Sequence, residues 1–124
     1  MATDGTIQTG IYGRKAKSMK LAMVVPDKEH QAMVMEAIYG EKGVKAGYTD
    51  GYCKEVLLKA AEHLVKDKGA QALILGCTEL PLILEETDNL KLGDGHAAIV
   101  DPTSSLARRV VKVAGEITKI RGVR

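Results

Sequence analysis

At 124 residues and 13.3 kDa the chain is one domain long, and a domain of that size buries roughly two-thirds of the surface its unfolded chain exposes. With 45% hydrophobic and 27% charged residues it falls outside the disordered, collagen-like and coiled-coil classes; without Phe or Trp it has an aliphatic core and lacks the stacking platforms of single-strand nucleic-acid binders. The net charge of +2 conceals a basic C-terminal segment, where Arg108, Arg109, Lys112, Lys119, Arg121 and Arg124 stand against Glu116 alone, a pattern that also solvates a helix end and complements its dipole, so no nucleic-acid partner is expected.

In chain order, Thr3-Asp4-Gly5-Thr6 reads as a strand-to-helix turn preceded only by Met1-Ala2-Thr3, less than the usual five or six residues of a strand, as though the chain began inside an element. Lys20–Val25, closed by Pro26, is a short apolar run predicted as a buried strand. A helix is predicted over about Lys28–Tyr39 with Met33, Val34, Ala37 and Ile38 inward. Met23 and Met35 also read as core filling. Cys53, Val56, Leu57, Ala60, Ala61, Leu64 and Val65 recur at three- and four-residue steps and predict a helix ending near Gly69, with Cys53 in its buried stripe. Ala70–Gly76 and Ala97–Val100 are two further predicted strands, while Glu85, Glu86 and Asp88 read as a solvated charged loop. The last helix, about 103–121, is predicted to start after Pro102 with Thr103 or Ser104 as cap, and to align Leu106, Val110, Val113, Ile117 and Ile120 on one side.

Strands alternating with helices imply right-handed crossovers and a single α/β domain over residues 1–124, a three-layer sandwich with a short parallel sheet. Ligands of such sheets gather at the carboxyl ends of the strands. Three polar sequences fall there: Thr3-Asp4-Gly5-Thr6, Gly76-Cys77-Thr78-Glu79 and Asp101-Pro102-Thr103. A cysteine at a strand end beside turn amides can have its thiolate stabilised and so act as base or nucleophile, although a small buried hydrophobe is the plain alternative for Cys77. Likewise Lys45 reads as a solvated loop lysine and Thr6 as a helix cap on their own. His30 and His63 on helix surfaces and His96 in the Gly93-Asp94-Gly95 loop share no metal-ligand spacing, so no metal is expected. No apolar run reaches the roughly 18 residues of a membrane span and no leader pattern opens the chain, which reads as cytoplasmic with no membrane partner.

Gly76-Cys77-Thr78-Glu79-Leu80-Pro81 resembles the second-cysteine motif of the aspartate/glutamate racemase family, nearer its aspartate racemase branch because glutamate racemases usually carry His where Glu79 stands. Ala2–Thr6 with Gly10-Ile11-Tyr12, Ala37-Ile38-Tyr39 with Val44–Gly47, and Asp101-Pro102-Thr103 with Leu106-Ala107 resemble further segments of that family's second domain, in the same order. The resemblance implies a cofactor-independent racemase in which two cysteines face opposite sides of the substrate α-carbon. One thiolate removes the α-proton and the other thiol returns one. It implies Cys77 as one of these thiols, Thr78 and Thr6 as ligands of the α-carboxylate, Lys45 as the partner of the side-chain carboxylate of aspartate or glutamate, and Thr3 and Glu79 as supporting residues. The family's first domain, with its own cysteine, has no counterpart here. The expectation is therefore self-association, with the final helix exchanged between protomers, or pairing with a separate first-half chain. Two alternatives remain: a truncated half domain that folds or binds acidic amino acids without turnover, and a relative of the dicarboxylate isomerases and decarboxylases.

Overall fold

The structure is a computed structural model that describes residues 1–121, with side chains up to Glu116. Five helices and three strands follow in the order α1 (Asp4–Thr9), α2 (Ile11–Ser18), α3 (Lys28–Tyr39), α4 (Tyr52–Lys66), β1 (Ala72–Ile74), β2 (Thr87–Leu92), β3 (Gly95–Val100) and α5 (Pro102–Arg121), with short 3-10 turns at Val44–Ala46 and Leu80–Leu82. Polar caps set the helix starts. Thr3 accepts a hydrogen bond from the Thr6 amide at α1, and Asp27 accepts from the His30 amide at 2.9 Å at α3, each satisfying an amide the helix leaves free.

The sheet order is β1-β3-β2. β1 and β3 run parallel, pairing Ala72 with Ala98 and Ile74 with Val100, whereas β2 and β3 form an antiparallel hairpin closed by Gly93-Asp94, Gly93 taking the left-handed φ of 59° that a tight hairpin turn requires. The class is α/β as predicted, and the sheet is mixed. Val34 and Ile38 of α3 and Leu57 and Leu64 of α4 pack with Leu73, Leu75, Leu80, Leu92 and Ile99 into one aliphatic cluster. Every large member of that cluster removed from water contributes about 1.5–3 kcal/mol. The opposite pleat of the sheet carries Ile74, Ala98 and Val100, which remain half-buried.

The predicted helices over Lys28–Tyr39 and from Cys53 onward are α3 and α4, one ending at Lys66 rather than nearer Gly69. Four expectations need correction. Lys20–Val25 is no strand: the Leu21 amide turns back to the Ala16 carbonyl, and Leu21, Met23, Val24 and Val25 are exposed. A strand needs a neighbouring ladder, and beside β1 that ladder is Met1, whose amino group donates to the Ile74 carbonyl and whose carbonyl accepts from the Gly76 amide, both at 2.7 Å. Met23 accordingly fills no core. Asp88 belongs to β2 rather than to a loop. The cap of α5 is Asp101, which accepts from the Thr103 amide at 2.9 Å and from the Ser104 hydroxyl at 2.6 Å; Ser104 thus serves as donor to the cap. Along α5, Leu106, Val110 and Val111 are exposed and Val113 half-buried. The side chains of Ile117, Lys119, Ile120, Arg121 and Arg124 lie outside the described residues.

Candidate active site

Cys77 sits three residues beyond β1, where the chain leaves the sheet and turns into the 3-10 segment at Leu80. Gly76 lets this corner pack closely. Its amide donates to Met1, and a Cβ there would stand 2.9 Å from Ala2 Cβ and 3.0 Å from the Tyr12 ring. The segment carrying Thr3 and the corner carrying Cys77 are therefore pressed together by a position that tolerates no side chain.

Three predicted residues converge on Glu79. The Cys77 thiol donates to Glu79 Oε2 at 2.9 Å, the Thr78 hydroxyl donates to the same oxygen at 2.9 Å, and Lys45 Nζ pairs with Glu79 Oε1 at 3.0 Å. Lys45 reaches the corner from the Val44–Ala46 turn, its ammonium 5.1 Å from the centre of the Tyr39 ring. The pair is accessible, with side chains 41% and 29% exposed, so its Coulomb attraction is screened by water and its use is geometric. The hydrogen bonds from Cys77, Lys45 and Thr78 hold the Glu79 carboxyl at about 2, below the usual carboxylate range. Conversely, burial and the Glu79 carboxylate push the Cys77 thiol up, with Lys45 pulling weakly the other way. The turn amides do not win at this corner; Cys77 rests protonated, a donor rather than a ready nucleophile.

Thr3 and Thr6 form a second group, their hydroxyl oxygens 3.1 Å apart. The Thr3 hydroxyl caps α1 and Thr6 Oγ1 lies on it, so Thr3 rather than Thr6 is the cap. Their route to the Cys77 corner is Met1 and Gly76, with no hydrogen bond between the two groups among the described residues. Beside Thr6 lies a mostly apolar cavity of about 90 Å³ lined by Thr6, Tyr12, Val25 and Gly76, which Cys77, Thr78, Glu79 and Lys45 do not line. Cys53 is fully buried in α4, donating to the Tyr48 and Asp50 carbonyls at 3.4 Å; it packs, as predicted, and is sealed from any ligand.

The family described as Asp/Glu/Hydantoin racemase matches residues 1–110, most of the chain. The chain belongs to that racemase family. It is also 32% identical over 114 residues to a protein of Pectobacterium carotovorum subsp. carotovorum described as "Uncharacterized protein in pnlA 3'region", a match that covers 90% of this chain and 69% of that one. Family membership points to racemase-like function for this chain.

Sequence reasoning ranked Glu79 as a supporting residue, whereas in the structure it is the hub. The signal was present in the alternating Cys77 and Glu79, two residues apart on the same side of a turn. It also put His30 and His63 on helix surfaces without a common role. In the structure His63 is buried at 7% exposure and its ring stacks on that of His30, centroids 3.8 Å apart and 5° from parallel. Only the register of α3 against α4 brings them together, and neither helix shows that register by itself.

No helix among the described residues is long and apolar enough to cross a membrane.

Proposed function

We propose that this chain supplies one wall of a cofactor-independent racemase site for an acidic amino acid, with Cys77 as the proton donor on that wall. The observation that carries the reading is the thiol of Cys77, half-buried at a strand end and joined through Glu79 to Lys45. A base on the far face takes the α-proton, and the electron pair of the broken C–H bond spreads into the substrate carboxylate. The Cys77 S–H bond then breaks, its proton forms the new C–H bond on the opposite face, and a Cys77 thiolate remains. Its proton is regained in the reverse direction. A thiol held protonated at rest suits the donor half of this exchange, since a general acid must carry its proton when the carbanion forms. Lys45 would swing from Glu79 to the side-chain carboxylate of aspartate or glutamate. Thr78 and Thr6 would receive the α-carboxylate, with Thr3 holding Thr6. Glu79 in place of histidine favours the aspartate branch.

The reading takes the opposing base from a second polypeptide or a second copy, since Cys53 is sealed in the core. The exposed Leu106, Val110 and Val111 of α5 and the half-buried Ile74 and Val100 of the sheet supply apolar surface for such a partner. Exchange of α5 between protomers is one way to cover it. Nucleic acid is not among the proposed partners: Arg108 is already bound by Glu86 through two hydrogen bonds of 2.8 and 3.0 Å. Two free thiols fit a reducing compartment such as the cytoplasm.

The test is incubation of the purified chain with L-aspartate and L-glutamate in heavy water. Deuterium at the α-carbon with inversion supports a completed two-sided site; deuterium without inversion supports one working thiol. Cys77→Ala should abolish the exchange and Cys53→Ala should leave it. Exchange that survives Cys77→Ala refutes the assignment. Binding without exchange instead favours the half domain that binds and does not turn over.

A further inference from the structure

In the last turn of α4, His63 is oriented by a neighbour on its own helix. Its Nδ1 lies 2.7 Å from Asp67 Oδ2, one turn on. In a neutral ring that contact keeps the proton on Nδ1 and leaves a lone pair on Nε2. Nε2 is buried and has no hydrogen-bond partner, yet it faces Asp27 Oδ2 at 3.4 Å. A buried lone pair turned toward a carboxylate oxygen, here that of the partly exposed Asp27, is unfavourable unless a positive charge, a proton or a metal ion, lies between them. Asp27 also holds His30, whose Nδ1 is 2.7 Å from Asp27 Oδ1. One ligand atom from each of Asp27, His30 and His63 lies within 4.8 Å of the others.

We infer that Asp27, His30 and His63 form a binding site for a divalent transition metal of the zinc and cobalt class. Two imidazoles and one carboxylate leave a fourth position to water, and this nitrogen-and-oxygen set suits that class rather than calcium or magnesium. The Asp67–His63 contact is the arrangement that metal-ligating histidines characteristically show: a carboxylate on the second ring nitrogen fixes the tautomer and raises the basicity of the first. His63 and Asp67 are therefore prebuilt. His30, a quarter exposed, turns out of its stack to bring a nitrogen within bonding distance. Nearby, Lys66 is paired with Glu62 at 2.9 Å, so its charge is largely compensated. Because the ligands come from the start of α3 and the end of α4, the ion would pin these two helices together. It shares no residue with Cys77, Glu79 or Lys45 and so stands apart from the proposed racemase chemistry.

The experiment is a titration of the full chain with Zn²⁺ by calorimetry, paired with Co²⁺ absorption, in a Cys77→Ser background that removes the accessible thiol. The inference expects one ion per chain and visible d–d bands without a thiolate charge-transfer band. Asp67→Asn should weaken the affinity about 10–100-fold, the usual effect of losing such an orienting partner, and His30→Ala should weaken it at a side chain exposed enough to leave folding intact. Proton-detected NMR of the imidazole rings gives a readout independent of folding losses, since Zn²⁺ should shift His63 Nε2 and leave His96 unmoved. Three results would each overturn the inference: no stoichiometric binding, binding unaffected by both Asp67→Asn and His30→Ala, or a His63 ring doubly protonated at neutral pH and unchanged by Zn²⁺.

Discussion

Replacing Gly76 by alanine would place a methyl carbon 2.9 Å from Ala2 Cβ, 3.0 Å from Tyr12 Cε2 and 3.2 Å from the Met1 carbonyl oxygen. Its φ is not left-handed, so the cost comes from contact and not from backbone strain. Two of the three obstacles belong to the Met1–Ala2 segment, which is held to β1 by the hydrogen bonds Met1 to Ile74 and Gly76 to Met1. Either the segment moves and those bonds, about 0.5–1.5 kcal/mol each, lengthen, or the corner is overpacked at a cost of about 1–3 kcal/mol. Both routes give a loss of about 1–3 kcal/mol. For a domain of this length that lowers the melting temperature by about 4–12 °C. Calorimetric melts of Gly76→Ala beside Gly5→Ala provide the assay, since a Cβ at Gly5, inside α1, meets nothing within 4 Å and should raise stability slightly through helix propensity. A Gly76→Ala protein that melts within a degree of the parent would refute the close packing of the Thr3 segment against the Cys77 corner, and with it the shared location of the two residue groups.

Other expectations are equally direct. Leu57, fully buried where α4 meets the sheet, should lose about 2–5 kcal/mol on Leu57→Ala, read as a lower urea midpoint with unchanged slope. Alkylation of Cys77 by iodoacetamide should follow a pH profile above the ordinary thiol range; Glu79→Gln should move it down and Lys45→Ala up, because the carboxylate disfavours the thiolate and the ammonium favours it. For the same group, a folded-state thiol value above the unfolded one means that its stabilising contribution is complete below the unfolded value. That contribution is lost as pH rises through the raised value, so the folded state weakens in that alkaline window. Light scattering after chromatography should give a mass above 13.3 kDa, and Val110→Asp on the exposed side of α5 should return it to the monomer.

Elements whose stability is local were legible in the sequence. The α3 bounds coincide with the prediction because Asp27 caps one end and Gly40 follows the other, both chemical signals that need no tertiary contact. The apolar stripe of α4 is similarly self-announcing. Strands are different, since a strand exists only beside another. Leu21–Val25 has the composition of a buried strand and no ladder to join. The Thr87–Leu92 segment, polar at Thr87, Asp88, Asn89 and Lys91, is a strand because Gly93-Asp94 folds it back on β3. That dipeptide, flanked by Leu90 and Leu92 on one side and Ala97 and Ile99 on the other, was the readable hairpin signal.

For the site, the division falls between identity and state. That Cys77 stands at a strand end beside Glu79 follows from eight residues of sequence. That it rests as a thiol does not, because the outcome depends on which of two opposed influences prevails: turn amides that favour a thiolate, or burial together with a carboxylate that disfavour it. Burial leads in raising the thiol, and Glu79 adds to it by accepting the thiol proton as a hydrogen bond while Lys45 and Thr78 help keep that carboxylate ionised. The consequence can be separated from mere folding. In Glu79→Gln the thiol should give up its proton at lower pH while the melting temperature stays near that of the parent, since both Glu79 partners that carry charge or polarity here are partly exposed. A loss of fold with no change in the alkylation profile would mean that Glu79 holds the corner in shape and leaves the thiol alone.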